Sequence, residues 1–230
     1  ISYISNLKIK ESTLETLKRI IIITVLTSLF QTTTQTTLIS QEISEESTEN
    51  NKAGEGLVYK EIIYGDINAP VTIFEYASLT CNHCAAFHTT VLPKLKTNYI
   101  DKSLVKLVYR DYPLDDWAMA GAMLARCAPE GRGKAMLNLM FSQQMTWLSS
   151  NSPLELLKKY SKFAGMNEKE VDSCLRNEEI LNSVRNNAEE ANNLYSIKST
   201  PTFFIDGVKI EGNMGFEYMS KIIDEKLSKN

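Results

Sequence analysis

Several residue types are scarce in this chain of 230, and each shortage closes off a class of explanation. Ten glycines and six prolines are too few for a collagen-like or proline-rich architecture. Four cysteines cannot build a disulfide-stapled scaffold of this length, so they decorate an ordinary core. Two histidines, with no second C-x-x-C, leave little from which to assemble a structural zinc cage. Neither sign of charge dominates. The 25 Lys+Arg against 28 Asp+Glu give −3, too weak and of the wrong sign for nucleic acid to be a partner through general electrostatics. There is no internal repeat, and no apolar run reaches the roughly 18 residues of a spanning helix. What remains is 43% hydrophobic and 23% charged, which is globular usage with enough material for a core and one or two domains.

The N-terminal part reads differently from the rest. Lys18 and Arg19 precede Ile20–Phe30 (IIIITVLTSLF), and a basic region before a short apolar run is the pattern of an export signal. No A-x-A-like cleavage site follows, so export is expected and an uncleaved anchor stands as the alternative. The competing structural explanation is a buried Ile-rich strand, but a polar tract follows and no turn chemistry precedes it. The first methionine is Met119, so the initiator is expected to be missing or non-AUG. Gln31–Gly56 is Thr/Gln-rich, then acidic, without an apolar period, and is expected to be a disordered tether.

From Leu57 the pattern becomes that of a folded domain. Leu57–Ile63 predicts a short strand, Tyr64–Pro70 a turn, and Val71–Ala77 (VTIFEYA) a buried strand. From Cys81 the period changes to 3.6, with Cys84, His88, Val91 and Leu95 on one face, giving a helix to about Tyr99 that is kinked at Pro93. Val105–Tyr109 returns as a strand and completes a βαβ unit. Helices are then expected at Trp117–Cys127 and Ala135–Trp147. Another follows Ser152, with a capping box to Glu155 and closure at Gly165. The next follows Asn167, with a capping box to Glu170, and the last of the block is Glu178–Tyr195. Thr202–Ile205, Asp206-Gly207 and Val208–Ile210 predict a hairpin with a type I′ turn, before a final helix from about Phe216 to Leu227. The expected fold class is α/β: a βαβ half and a ββα half around a central sheet, interrupted by a block of helices.

Cys81-Asn82-His83-Cys84 lies where the strand Val71–Ala77 hands over to a helix. Unpaired N–H groups and a partial positive charge gather in the first turn of a helix, and both favour a thiolate at Cys81. The dipole alone supplies about 0.3–1 kcal/mol, under one pKa unit, so a deep depression needs direct N–H···S⁻ bonds and help from His83. A thiolate stabilised in this way is a good leaving group, and its disulfide with Cys84 is readily passed to a substrate. Cys84, one turn further on, is expected to be the buried resolving thiol. A structural bridge would close a short loop and gain little. A metal reading adds His88 to Cys81 and Cys84. Glu75, on an otherwise apolar strand, is expensive to bury ionised. As a buried acid with a raised pKa it is expected to relay the proton of Cys84, and an edge position facing solvent is the alternative. Thr200-Pro201 precedes a strand, and a cis bond there would let residue 200 offer its backbone to an extended substrate.

FEYASLTCNHCAAFH (Phe74–His88), RDYPLD (Arg110–Asp115) and STPTFFIDG (Ser199–Gly207) resemble the DsbA family of thiol-disulfide oxidoreductases, its alpha-proteobacterial branch most. The resemblance runs from about Tyr59 to Leu227. It implies a thioredoxin fold with an inserted helical domain: first part 57–112, insertion 113–197, second part 198–230, after a signal or anchor at 1–30 and a linker at 31–56. It places the nucleophilic cysteine on Cys81, the resolving cysteine on Cys84, the thiolate-stabilising histidine on His83, the buried acid on Glu75, and the cis-proline on Pro201, with Thr200 beside it as a substrate contact. The dipeptide Asn82-His83 departs from the family's commonest Pro-His. No dissociable cofactor is implied, because the redox group is the cysteine pair. The implied setting is the periplasm, with unfolded or newly exported cysteine-containing proteins as substrates and a DsbB-like membrane quinone reductase as regenerating partner. Some relatives in that branch carry a second cysteine pair, and a non-catalytic disulfide between Cys127 and Cys174 is expected here, two buried thiols being the alternative. A disulfide isomerase or reductase of the same fold, or a non-catalytic thiol- or metal-binding module, are the competing functions.

Overall fold

The computed structural model describes residues 59–229. The Ile20–Phe30 run, the Gln31–Gly56 tether and the beginning of the strand expected from Leu57 lie outside them. Among the described residues no helix is long and apolar enough to cross a membrane.

Five strands form one sheet in the order β1-β3-β2-β4-β5. They are β1 (Ile62–Tyr64), β2 (Val71–Ala77), β3 (Val105–Asp111), β4 (Thr202–Ile205) and β5 (Val208–Glu211). β2 and β3 run parallel, with Ile73 opposite Leu107 and Glu75 opposite Tyr109, and the other pairs are antiparallel. β2 is central because its apolar residues suit a position covered on both sides. Val71, Ile73, Glu75 and Ala77 share one face by the two-residue period, and all are buried. The β4–β5 hairpin turns through Asp206 (φ 41°) and Gly207 (φ 86°), the two positive φ values that a type I′ turn demands.

The helix expected from Cys81 to Tyr99 is three pieces: α1 (Asn82–Ala86), a widened π turn (Phe87–Val91) and α2 (Leu92–Asn98). The distortion therefore lies ahead of Pro93 rather than at it. Proline has no N–H to give and its ring crowds the carbonyl four residues back, so the ladder loosens over the preceding turn. Thr89 and Thr90 donate their hydroxyls to the carbonyls of Ala85 and Ala86, both at 2.7 Å.

Between β3 and β4 come α3 (Asp116–Cys127), α4 (Arg132–Ser142), α5 (Gln144–Leu148), α6 (Pro153–Phe163), α7 (Glu168–Leu175) and α8 (Glu178–Tyr195); α9 (Phe216–Leu227) follows the hairpin. The single helix expected over Ala135–Trp147 is broken at Gln143 (φ −107°, ψ 16°), which redirects α5 so that buried Trp147 donates its indole N–H to the Met140 carbonyl at 2.9 Å. The capping box expected at Ser152 does not form. The Ser152 amide donates instead to Ser150 Oγ at 3.1 Å, and Glu155 turns to Lys158 at 3.6 Å. The box at Asn167 and Glu170 is complete. Gly165 (φ 93°) closes α6, with its N–H on the Lys162 carbonyl and that of Met166 on the Ser161 carbonyl. α4 packs on β1 and the π turn, while α9 packs on α2 and β2. α1 runs into the π turn and packs on α4 of the helical block.

Candidate active site

The chain leaves β2 at Ala77 and reaches Cys81 through a short turn whose polar groups are satisfied locally. Ser78 Oγ lies 3.1 Å from Thr80 Oγ1, and the Cys81 amide donates to the Ser78 carbonyl at 3.1 Å. Cys81 occupies the N-cap of α1 with extended backbone (φ −81°, ψ 121°). Its side chain therefore sits beside the free amides of the first turn, and those of His83 and Cys84 face the sulfur, although neither closes a full capping bond.

Cys81 is half-buried and Cys84 is fully buried, both as free thiols. The two are driven in opposite directions. The Cys84 thiol beside Cys81 lowers the latter most; the Thr200 hydroxyl and the two amides add to this against the opposing cost of burial, and the Cys81 thiol comes down to about 5. Burial pushes Cys84 far up, and the neighbouring Cys81 and Glu75 reinforce that rise. His83 is exposed, and its backbone amide is among the groups that lower the Cys81 thiol.

Thr200 and Pro201 reach the site from the start of β4. Their peptide bond is cis, and the Cys81 thiol donates to the Thr200 carbonyl at 3.2 Å. Glu75 lies at 0% exposure beneath the cysteine pair, in the interior of the central strand rather than at an edge. Its partner was not legible beforehand: His88 Nε2 lies 3.0 and 3.1 Å from the two carboxylate oxygens. The metal reading had given His88 to the cysteines, yet its ring turns to Glu75. Among the described residues no group of three or more His, Cys, Asp or Glu is arranged to hold a metal. Phe141 of α4 stacks on the imidazole at 4.0 Å between centroids.

Gln144 is a second residue the sequence did not single out. Buried at the start of α5, its amide nitrogen donates to the carbonyls of Leu79 at 2.8 Å and Cys81 at 2.9 Å. It pins the turn carrying Cys81 to the helical block. The sequence offered only the polar pair Gln143-Gln144 within a stretch that otherwise read as one continuous helix. Cys127 and Cys174 are joined at 2.09 Å between sulfurs, linking α3 to α7 away from the Cys81 pair.

A family model described as thioredoxin matches residues 58–225. A Rickettsia conorii protein named a protein-disulfide oxidoreductase is 32% identical over 168 residues, which cover 73% of this chain and 60% of that protein. The chain thus spans about 60% of the length of such curated relatives. The crystal structure of Wolbachia pipientis alpha-DsbA1 superposes with a TM-score of 0.70 at 29% identity, covering 75% of this chain and 93% of that one. Oxidised BdbD from Bacillus subtilis, at 18% identity and a TM-score of 0.62 over 73% of this chain and 93% of that one, shares the fold. The chain belongs to the thioredoxin family and is a DsbA-like member of it, similar to those of alpha-proteobacteria.

Proposed function

We propose that this protein is a dithiol oxidase that passes a Cys81–Cys84 disulfide to cysteine-containing proteins after their export. One observation carries the reading: two free cysteines one helical turn apart, Cys81 half-buried at the head of α1 and 3.2 Å from the Thr200 carbonyl, Cys84 fully buried behind it, so that their thiols are driven in opposite directions. The asymmetry sets the direction of each step. A substrate thiolate attacks Cys81 Sγ, the S–S bond breaks, and Cys84 leaves as a thiolate that takes up a proton. The second substrate thiolate then attacks the substrate sulfur of the mixed disulfide. Cys81 departs as a stable thiolate, and the substrate disulfide has been made at the expense of two electrons now held by the pair. The Thr200 carbonyl, 3.2 Å from Cys81 Sγ, supports a role for Thr200 in pairing with the backbone of an extended substrate.

Two exposed apolar side chains belong to segments that touch the Cys81 turn. Leu114, whose amide donates to Ser78 Oγ, and Met145, next to Gln144, are both largely exposed, and they suit unfolded chains of varied sequence. A periplasmic site fits the basic and apolar pattern of Lys18–Phe30, and a DsbB-like quinone reductase would return the pair to its disulfide. No dissociable cofactor is required, because the two sulfurs store the electrons. The test is oxidation of a reduced two-cysteine peptide by the oxidised protein, followed by peptide fluorescence, alongside reactivation of scrambled ribonuclease. A dithiol oxidase shows fast peptide oxidation that is abolished in Cys81→Ser, with little ribonuclease reactivation. The reverse pattern identifies an isomerase, and full activity of Cys81→Ser defeats both.

A further inference from the structure

We propose that His88 is the outward station of a proton path that serves Cys84, and that the cleft beside His88 is where this path meets solvent. The inference rests on the dithiol chemistry proposed above. Cys84 must take up a proton whenever the disulfide opens and release one whenever it re-forms, yet Cys84 and Glu75 are both at 0% exposure. The proton therefore has to travel through protein groups. Glu75 touches His88 Nε2 with both oxygens. The other ring nitrogen, Nδ1, is buried and has no hydrogen-bond partner among the described residues. An unpaired buried nitrogen is destabilising, so its retention calls for an explanation.

The surroundings supply one. His88 lies in the wall of a cleft of about 870 Å³ running between α2 and α4, bordered by Tyr64, Leu92, Lys96, Lys134 and Asn138. On its inner side the titratable groups are Tyr64 of β1, Glu75 of β2, Cys84 of α1 and Tyr109 of β3; the cleft adds Lys96, Asp101 and Lys134. Burial carries both tyrosines upward, so neither competes for the proton near neutral pH. In re-formation, Cys84 gives its proton to Glu75, Glu75 protonates His88 Nε2, and the buried Nδ1 passes its own proton to water that reaches it from the cleft. The freed Cys84 thiolate attacks Cys81 of the mixed disulfide, and the departing thiolate carries away the electron pair of the broken S–S bond. His88 acts through Glu75 and is a relay and positioning residue.

The test loads Cys81 with glutathione and follows its expulsion by Cys84 from about pH 5 to pH 9. His88→Gln keeps a hydrogen bond to Glu75 but cannot exchange protons. It is expected to slow expulsion about tenfold near pH 6, with the gap closing as hydroxide takes over. Ala135→Trp fills the cleft from an exposed position on α4, and is expected to slow the step about threefold at the same pH. The alkylation rate of Cys81 by iodoacetamide needs no proton from Cys84 and is the control for Ala135→Trp. Superimposable wild-type and Ala135→Trp profiles overturn the proposal. So does a His88→Gln profile parallel to wild type at every pH, the mark of a merely structural histidine. If His88→Gln does not fold, Ala135→Trp decides alone. Normal glutathione expulsion by a protein that fails to oxidise a peptide would defeat the proposed function and leave this inference standing.

Discussion

At Cys81 the sulfur gathers donors that favour the anion: the Cys84 thiol, the Thr200 hydroxyl and two first-turn amides. The consequence reaches beyond reactivity, because a pKa that differs between folded and unfolded chains is also a stability term. The folded value of about 5 lies below the ordinary 9.0. This group therefore stabilises the reduced fold increasingly as pH rises through about 5, in full above about 9, and the contribution vanishes as pH falls below about 5. The disulfide form has no such thiol to titrate. The reduced protein is expected to gain on the oxidised one in urea midpoint across that window, and Cys81→Ala should remove the slope; a difference constant with pH would contradict the assigned environment. Cys81 at a helix head was legible in the sequence because a strand-to-helix change of period falls at that point. The His88 contact with Glu75 and the grip of Gln144 on the Cys81 carbonyl were not. Both depend on how distant segments meet, and local pattern carries no record of that.

Helices and strands were legible to the extent that a local signal decided them. α8 and α9 run over Glu178–Tyr195 and from Phe216 to Leu227 as the apolar period indicated, and the Asp206-Gly207 turn needed nothing beyond its own dihedral preferences. Errors arose where a neighbour intervened. The Ser152 amide was taken by Ser150, Gln143 broke a continuous stripe, and Pro93 acted one turn upstream of its position. At this scale the bond between Cys127 and Cys174 ties α3 to α7 across 47 positions of sequence. It limits the unfolded chain without touching α1. The double substitution Cys127→Ser with Cys174→Ser is therefore expected to lower stability by about 2–4 kcal/mol. The Cys81 titration should stay where it is, because distant sites act independently. Urea denaturation and pH-dependent alkylation of one preparation check both halves, and a displaced Cys81 titration would mean that the helical block shapes the site through this bond.

One buried side chain fastens the helical block to the sheet where the chain departs from it. Arg126, near the end of α3, donates through Nε to Asp111 Oδ2 at 2.7 Å, through Nη1 to the Lys60 carbonyl at 2.6 Å and through Nη2 to the Tyr109 carbonyl at 3.1 Å. Its guanidinium also lies 4.3 Å from the centre of the Tyr59 ring. Together with Gln144 on the Cys81 turn, this makes the block part of the same cooperative unit as the sheet. Arg126→Met strips the countercharge from Asp111, whose Oδ1 already lacks a partner among the described residues, and an uncompensated buried charge costs about 3–5 kcal/mol. Adding Asp111→Asn removes that charge, so the double variant is expected to be more stable than Arg126→Met alone. Trp117 and Trp147 both lie in the helical block, so their fluorescence reports its unfolding, while far-ultraviolet circular dichroism reports the whole. In the wild type the two transitions should coincide. In Arg126→Met both should move together to lower urea. Fluorescence unfolding ahead of circular dichroism in the wild type would show the block to be a separate unit, and Arg126 would then be a local contact rather than the joint between the two halves.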